Sequence, residues 1–199
     1  MWGPHANTPG LPEPYEESPG GIRAVQYFDK SRMEVTHPNS DPGSDWYVTN
    51  GLLVVELVPG EMQIGDSTFE HRTPSAMTIA GDPGNAGSPT YASLQRLLDE
   101  PTEPGYALGD IITATVDNEG NVSSDSTLAQ FEVNVAHLAQ ETNHFIASPF
   151  WGFMFSEGIV YQDGVFELDR LFPNAYYGTG LPITDPYWSW ISVGGSDQW

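Results

Sequence analysis

The chain has 199 residues, no cysteine and a net charge of -21, with 27 acidic side chains against 6 basic ones. This charge repels phosphate backbones and anionic headgroups, so we expect no nucleic-acid partner. Disulfides, zinc–thiolate sites and thiol nucleophiles are excluded, and we expect no cofactor, with calcium as the one alternative because scattered carboxylates supply oxygen ligands.

Aromatic residues make up 12% of the chain, which is typical of a folded protein and not of a disordered acidic tail. No run of about 18 apolar residues occurs, so we expect no membrane insertion. Residues 1–4 lack the basic and apolar regions of a signal peptide. If the protein is exported, this chain is therefore expected to be the mature part or an excised fragment.

The first predicted elements are an extended arm and a strand pair. Residues 1–21 contain five prolines and four glycines, which excludes a helix or a central strand. Residues 23–28 and 32–36 alternate in polarity around a short polar turn, which predicts two strands. Residues 48–58 fit a strand or a helix, and the spacing favours the helix.

The middle of the chain predicts short strands and one helix. We expect strands in residues 61–79 and a helix in residues 91–99. Residues 117–121 carry hairpin-turn residues and are flanked by two strands, the first at residues 111–116 and the second beginning at Val122. The inward-facing residues expected in the first of these regions are Met62, Ile64, Phe69, Met77 and Ile79.

The last third of the chain predicts a strand at residues 131–135, where apolar and polar residues alternate. Thr142 is expected to cap a helix over residues 143–156, with Pro149 marking its first turn or a kink. A further strand is expected at residues 164–170.

One short module occurs twice. Gly10-Leu11-Pro12 is echoed by Gly180-Leu181-Pro182, and each copy runs on to a Gly-Gly pair. We interpret residues 10–60 and 140–199 as related modules, separated by an insertion of unknown type at residues 61–135. The predicted fold is a single domain of the α+β class, rich in β-structure, with short antiparallel strands, hairpins and two or three helices.

The second module resembles a group of secreted bacterial repeat domains. Their units run from a Thr-Gly-His-like helix start through an aromatic helix to a Gly-aromatic-Pro-(Leu/Ile)-(Ser/Thr) turn. The matching segments here are Thr142-Asn143-His144, residues 150–154 and Gly180-Leu181-Pro182-Ile183-Thr184. They continue into a strand pair that is matched here by Val25-Gln26-Tyr27-Phe28 and the residues up to Glu34. More loosely, the layout looks like LGFP repeats of bacterial cell-wall proteins.

The chain departs from these repeats at defined positions. Gly180-Leu181-Pro182 stands where an LGFP unit has Leu-Gly-Phe-Pro, and Asn143 stands where related units have Gly. The second module stops at Trp199, before its expected strand, so we expect a C-terminal truncation. The resemblance implies an exported cell-surface or wall-associated domain that has no catalytic residues and attaches proteins to the envelope.

Two sets of polar residues are candidates for a metal site and for a catalytic acid pair. His137, Glu141 and His144 would share one face of a continuous helix and could then bind zinc, although the predicted helix begins after Glu141. Paired carboxylates would be needed for a glycan hydrolase, and Glu34 with Glu157 is the candidate pair. The acidic segment at residues 117–121 resembles a calcium loop loosely, but a hairpin tip explains it better.

The aromatic residues of the last module give the strongest functional signal. Trp188 and Trp190 alternate with Ser189, so in a strand both indoles face the same way. A flat aromatic pair stacks on the apolar face of a sugar ring. We expect a ligand site formed by Trp188, Trp190, Tyr187 and Tyr177.

The sequence therefore predicts a non-catalytic module, extracellular or on the cell surface, that binds polysaccharide or a cell-wall component or serves as a structural part. Two alternatives are an extracellular glycan hydrolase and a self-associating surface or filament subunit. In the second alternative, the proline-rich arm of residues 1–21 docks on a neighbouring copy.

Overall fold

The computed structural model describes residues 5–28, 31–50, 52–99 and 105–199. Its described strands form one three-stranded sheet and five two-stranded ribbons, all antiparallel, joined by short helices. This confirms the predicted β-rich α+β class. Trp2 and most of the predicted turn between the first two strands, Asp29 and Lys30, lie outside the described residues.

The N-terminal sheet consists of β1 (Leu11–Pro14), β2 (Ile22–Tyr27) and β3 (Arg32–Val35), in that order. The proline-containing β1 lies at the edge, where a missing backbone donor costs least. Before it, the backbone N–H of Asn7 donates to the carbonyl of Tyr27 at 2.9 Å. The described part of the arm is thus held against β2 of its own chain.

Next come α1 (Leu52–Leu57), β4 (Glu61–Gln63) and β5 (Phe69–His71). The helix favoured by the spacing is present, and the strand alternative is wrong. The ribbon β4–β5 is tied to the N-terminal sheet by a hydrogen bond from the Tyr15 hydroxyl to Asp66, 2.7 Å long. Phe69 in β5 and Met77 beyond it, both expected to face inward, are exposed.

A 3₁₀ turn and α2 (Gln95–Asp99) lead to the ribbon of β6 (Ala114–Val116) and β7 (Val122–Ser124). The hairpin predicted at residues 117–121 is confirmed. The Asp117 carboxylate accepts hydrogen bonds from the backbone N–H groups of Glu119 and Asn121 and from the Asn121 side chain. These hydrogen bonds close the turn. The bond from the Asn121 side chain and those from the amides also hold the pKa of Asp117 below its usual value.

The strand predicted at residues 131–135 is wrong. A 3₁₀ helix spans Ser126–Phe131, capped by the Asp125 carboxylate, which accepts from the Thr127 N–H. Glu132 then takes a left-handed conformation with φ of 53°, and the strand β8 begins only at Val135 (Val135–Ala139). The side-chain cap and the left-handed residue override the alternation.

The helix predicted over residues 143–156 is shorter than expected. Asn143, with φ of 57°, closes a hairpin between β8 and β9 (His144–Ala147), and α3 begins at Ser148 (Ser148–Met154) with Pro149 in its first turn. The N–H groups of Phe145 and Ser148 donate to Asp185 and Asn134, so they are not available to a helix. Thr142 therefore does not cap a helix.

The hairpin β8–β9 has apolar residues on both faces because of a bulge between Val135 and His137. One cluster joins Ile112, Val135 and Ala147, and the other joins Ala139, Ile146 and Met154. These two clusters form the apolar interior of the C-terminal part.

Four strands complete the chain: β10 (Glu157–Gln162), β11 (Val165–Arg170), β12 (Ile191–Val193) and β13 (Ser196–Gln198). The strand predicted at residues 164–170 is confirmed as β11. The two Leu-Pro segments differ in structure, since the first is β1 and the second is irregular. Both Gly-Gly pairs, however, have positive φ at each glycine and precede a strand. The relation between the modules stays a prediction.

Candidate functional site

Trp188 lies half-buried beside β6. It forms a parallel bridge with Thr115, and its indole N–H donates to the carbonyl of Ile112 at 2.8 Å. Its ring centroid is 5.3 Å from that of Phe131. The side chain therefore anchors the C-terminal segment to the apolar interior.

Trp190 is 46% exposed and contacts a residue that the sequence reasoning did not include. Its ring centroid lies 5.1 Å from that of Trp199, and the ring planes meet at 71°. In the register of β12 and β13, Ile191 lies opposite Gln198. If this register is extended by one residue, Trp190 lies opposite Trp199. The two-residue Gly194-Gly195 turn could have revealed this pair, because it fixes which residues oppose one another.

The indole corner, which we define as Trp190 and Trp199, has polar neighbours on the same face of the ribbon. Because side chains alternate along a strand, the next pair on this face is Ser192 and Asp197, of which Asp197 is exposed. The exposed Trp190 and the exposed carboxylate of Asp197, which accepts hydrogen bonds, thus lie on the same face of the ribbon.

The turn of this ribbon is fixed by Asp82. Its carboxylate oxygens accept from the N–H groups of Gly194 at 3.0 Å and Gly195 at 2.9 Å, and its own N–H donates to the carbonyl of Ser192. The Gly195 and Gly194 amides hold the pKa of Asp82 below its usual value. A remote carboxylate therefore holds the hairpin that carries the indole corner.

Of the other predicted ligand residues, Tyr177 and Tyr187 have different surroundings. The Tyr177 ring centroid lies 6.1 Å from that of the exposed Trp46. Tyr187 lines two cavities, of about 320 Å³ and about 140 Å³, whose linings also share Ala147, Phe150 and Pro186. The four predicted aromatics therefore do not form one site. Trp188 is an anchor, Trp190 pairs with Trp199, Tyr177 pairs with Trp46, and Tyr187 lines the cavities.

The larger cavity lies beneath the irregular segment of residues 180–187 and is mainly apolar. Its described lining residues include one carboxylate, the buried Asp185, which accepts from the Phe145 N–H at 2.8 Å. A single carboxylate held by a backbone amide positions the segment, and among the described residues of the lining there is no second acid for glycoside hydrolysis.

The three residues proposed for zinc lie on a hairpin and not on a helix. His137 is in β8 and stacks on Trp151 with centroids 3.8 Å apart, while His144 is in β9, with its Nδ1 3.6 Å from Asp185 Oδ1. Glu141 is exposed in the turn between them. Within residues 5–28, 31–50, 52–99 and 105–199, no group of three or more His, Asp or Glu side chains is arranged to hold a metal ion.

Glu34, one of the two candidate hydrolase acids, belongs to a charge cluster inside the N-terminal sheet. We define this cluster by five residues: Glu13, Arg23, Arg32, Glu34 and Glu56. Arg32 Nη2 lies 2.8 Å from Glu34 and its two Nη atoms donate to both oxygens of Glu56 at 2.6 and 2.9 Å. All five side chains are buried or nearly so.

Electrostatics within this cluster keep Arg32 charged. Burial by itself lowers the pKa of Arg32, but the hydrogen bond to Glu56 and the charges of Glu34 and Glu56 raise it above its ordinary value. Arg23, with a side chain that is 0% exposed, contacts Glu34 at 3.3 Å and donates to the Gln63 carbonyl at 3.0 Å. The cluster therefore joins β1, β2, β3, α1 and β4.

Glu157, the second candidate acid, is exposed at the start of β10, opposite Arg170 of β11. Glu34 and Glu157 thus lie in different sheets, and neither lines the two cavities described above. The structure does not bring them together around a common cleft.

Comparison with protein-family models, curated proteins and solved structures gives no match for this chain. In the part of the chain that the structure describes, no helix is long and apolar enough to cross a membrane.

Proposed function

We propose that this protein is a non-catalytic module of the bacterial cell surface that binds polysaccharide through the indole corner. The observation that carries the proposal is the pairing of the exposed Trp190 with the partly buried Trp199 on a hairpin whose turn is fixed by Asp82. A sugar ring stacks its apolar face on one indole, and the second indole closes the side of the site.

Charge and polarity support this ligand class. The exposed carboxylate of Asp197 accepts hydrogen bonds from hydroxyl groups, and a neutral glycan is not repelled by a net charge of -21. The surface location rests on the resemblance of residues 142–154 and 180–184 to secreted repeat domains.

The proposal is tested by measuring retention on a panel of bacterial cell-wall and capsular polysaccharides for the unchanged chain and for Trp190→Ala. We expect the substitution to weaken binding at least about tenfold, which corresponds to about 1.4 kcal/mol. Trp190→Phe keeps a stacking face and should retain most of the affinity.

The matched control is Phe69→Ala, which removes an exposed aromatic ring from β5. This variant should bind as the unchanged chain does. Equal losses for Trp190→Ala and Phe69→Ala, or no retention of the unchanged chain on any glycan, would show that the indole corner is not a glycan site.

A further inference from the structure

The ribbon β10–β11 presents an apolar face to solvent. Its register pairs Ile159 with Leu168 and Tyr161 with Phe166, and these four side chains lie on one face because side chains alternate along each strand. They are between 67% and 76% exposed, and the two aromatic rings contact each other with centroids 4.9 Å apart. We call these four residues the apolar ladder.

Such a face is costly to leave in water. An isolated two-stranded hairpin is marginally stable, and contiguous exposed apolar side chains on a soluble protein mark an interaction surface. The opposite face of the ribbon carries Glu167 and Asp169 with Val160 and Val165. The large apolar side chains are therefore concentrated on the ladder face, whereas the opposite face mixes two valines with two acids.

The base of the ladder carries one pair of opposite charges. Glu157 in β10 opposes Arg170 in β11, on the same face as the ladder. The ladder face is thus neutral in a chain whose net charge is -21. A face with one acid, one base and an apolar stripe has the composition that a self-complementary contact requires.

We propose that the apolar ladder is a dimer interface, occupied by the same ladder of a second copy of this chain. A two-fold axis parallel to the hairpin lays β10 of one copy over β11 of the other. Ile159 then meets Leu168 of the partner subunit, and Tyr161 meets Phe166 of the partner subunit. Glu157 meets Arg170 of the partner subunit, twice by symmetry.

A copy of this chain fits the surface better than a membrane does, because the acidic exterior repels anionic headgroups. Four apolar side chains per copy form a small interface, in the range below about 1,200 Å² that is typical of reversible contacts. Net charge opposes the approach of two copies, so association strengthens as salt screens that repulsion. This inference concerns a different surface from the indole corner and does not depend on glycan binding.

The first test is sedimentation of the purified chain over a wide concentration range at low and at physiological salt. We expect a monomer–dimer equilibrium that shifts towards dimer with salt. Leu168→Thr should shift it to monomer, whereas Val165→Thr, a change of similar kind on the opposite face, should leave it unchanged. A chain that stays monomeric throughout, or equal effects of the two variants, would overturn the proposal.

The second test separates contacts between copies from contacts within one hairpin. Glu157→Arg and Arg170→Glu each place like charges opposite one another across the two-fold axis, so each variant alone should be monomeric. An equimolar mixture should form a heterodimer, because the two variants then present opposite charges to each other while each keeps its own repulsion within the hairpin. A mixture that remains monomeric, although circular dichroism shows both variants folded, contradicts the interface.

Discussion

Arg32 shows how single residues hold the N-terminal sheet together. It donates to both oxygens of Glu56 and contacts Glu34, and all three side chains are shielded from solvent. A buried ion pair adds little over a well-packed apolar pair, but removal of one partner leaves a charge without compensation. The stability of the fold therefore depends on keeping both the arginines and the glutamates of this cluster.

We expect Arg32→Ala to destabilise the chain by about 3–5 kcal/mol, because the buried Glu34 and Glu56 then share Arg23 as their only nearby cation among the five cluster residues. The measurement is urea unfolding followed by fluorescence. Arg72→Ala is the control, since it removes an exposed arginine paired with Glu70 at 2.9 Å and should cost less than about 1 kcal/mol. Similar losses for both variants would mean that burial does not set the effect.

Asp82 predicts a pH dependence. The amides of Gly195 and Gly194 lower its pKa in the folded state below the unfolded value of about 3.9. The stability it contributes is therefore complete above that unfolded value and is lost as the pH falls through the folded pKa. We expect Asp82→Asn to be less stable at neutral pH and to lose less stability on acidification.

Urea unfolding at a series of pH values measures this difference, and a carboxyl NMR titration gives the pKa directly. Asp45→Asn removes the same charge from an exposed loop and controls for net charge. An NMR titration of Asp82 at or above the ordinary carboxyl pKa would refute the role of the two amides.

At the scale of elements, the sequence predicted best those elements whose backbone conformation is set by neighbouring residues. The hairpin at Asp117 and the strand pair β2–β3 were predicted, because turn residues and the alternation of apolar and polar residues act locally. The strand predicted at residues 131–135 is absent, because the Asp125 cap and the left-handed Glu132 override the alternation of apolar and polar residues. Helix α3 was placed too early because Asp185, distant in sequence, takes the Phe145 N–H.

The turn after helix α1 ends at Gly60, a glycine that the packing requires. Gly60 has φ of +73°, and a Cβ there would lie 2.4 Å from the carbonyl oxygen of Arg72. We expect Gly60→Ala to destabilise the chain by more than about 1 kcal/mol, through strain and displacement of β5.

Gly152 in α3 is the matched control, because a Cβ there meets nothing within 4 Å. Gly152→Ala should raise stability by about 0.4–1 kcal/mol, since alanine loses less backbone entropy in a helix. Thermal unfolding of both variants gives the comparison, and opposite signs are the expected result.

At the scale of the whole molecule, the two ends have different interiors. The N-terminal sheet closes over the charge cluster, whereas β8–β9 lies between two apolar clusters. Residues 79–97, within the segment interpreted as an insertion, contribute to the C-terminal part: Asp82 fixes the Gly194 turn, and Leu94 and Leu97 line the larger cavity. Related or not, the two modules are therefore connected through this middle segment.

Net charge makes a prediction for the whole molecule. With 27 acidic and 6 basic side chains, self-repulsion destabilises the compact state, so the melting temperature should rise as NaCl increases at low ionic strength. CaCl₂ and MgCl₂ series at equal ionic strength should raise it equally if screening alone acts. A clearly larger rise with calcium would instead show a specific calcium site.

The sequence by itself determined the charge, the exclusion of cysteine chemistry, the β-rich class and the hairpins that turn residues specify. It also contained the Trp190–Trp199 pairing, through the spacing of both residues from the Gly-Gly turn. Only the tertiary structure decided that Trp188 is an anchor, that Glu34 and Glu157 lie apart, and that the apolar ladder faces solvent. The reason is that local patterns set backbone conformation, whereas burial and side-chain pairing depend on which distant segment packs against each face.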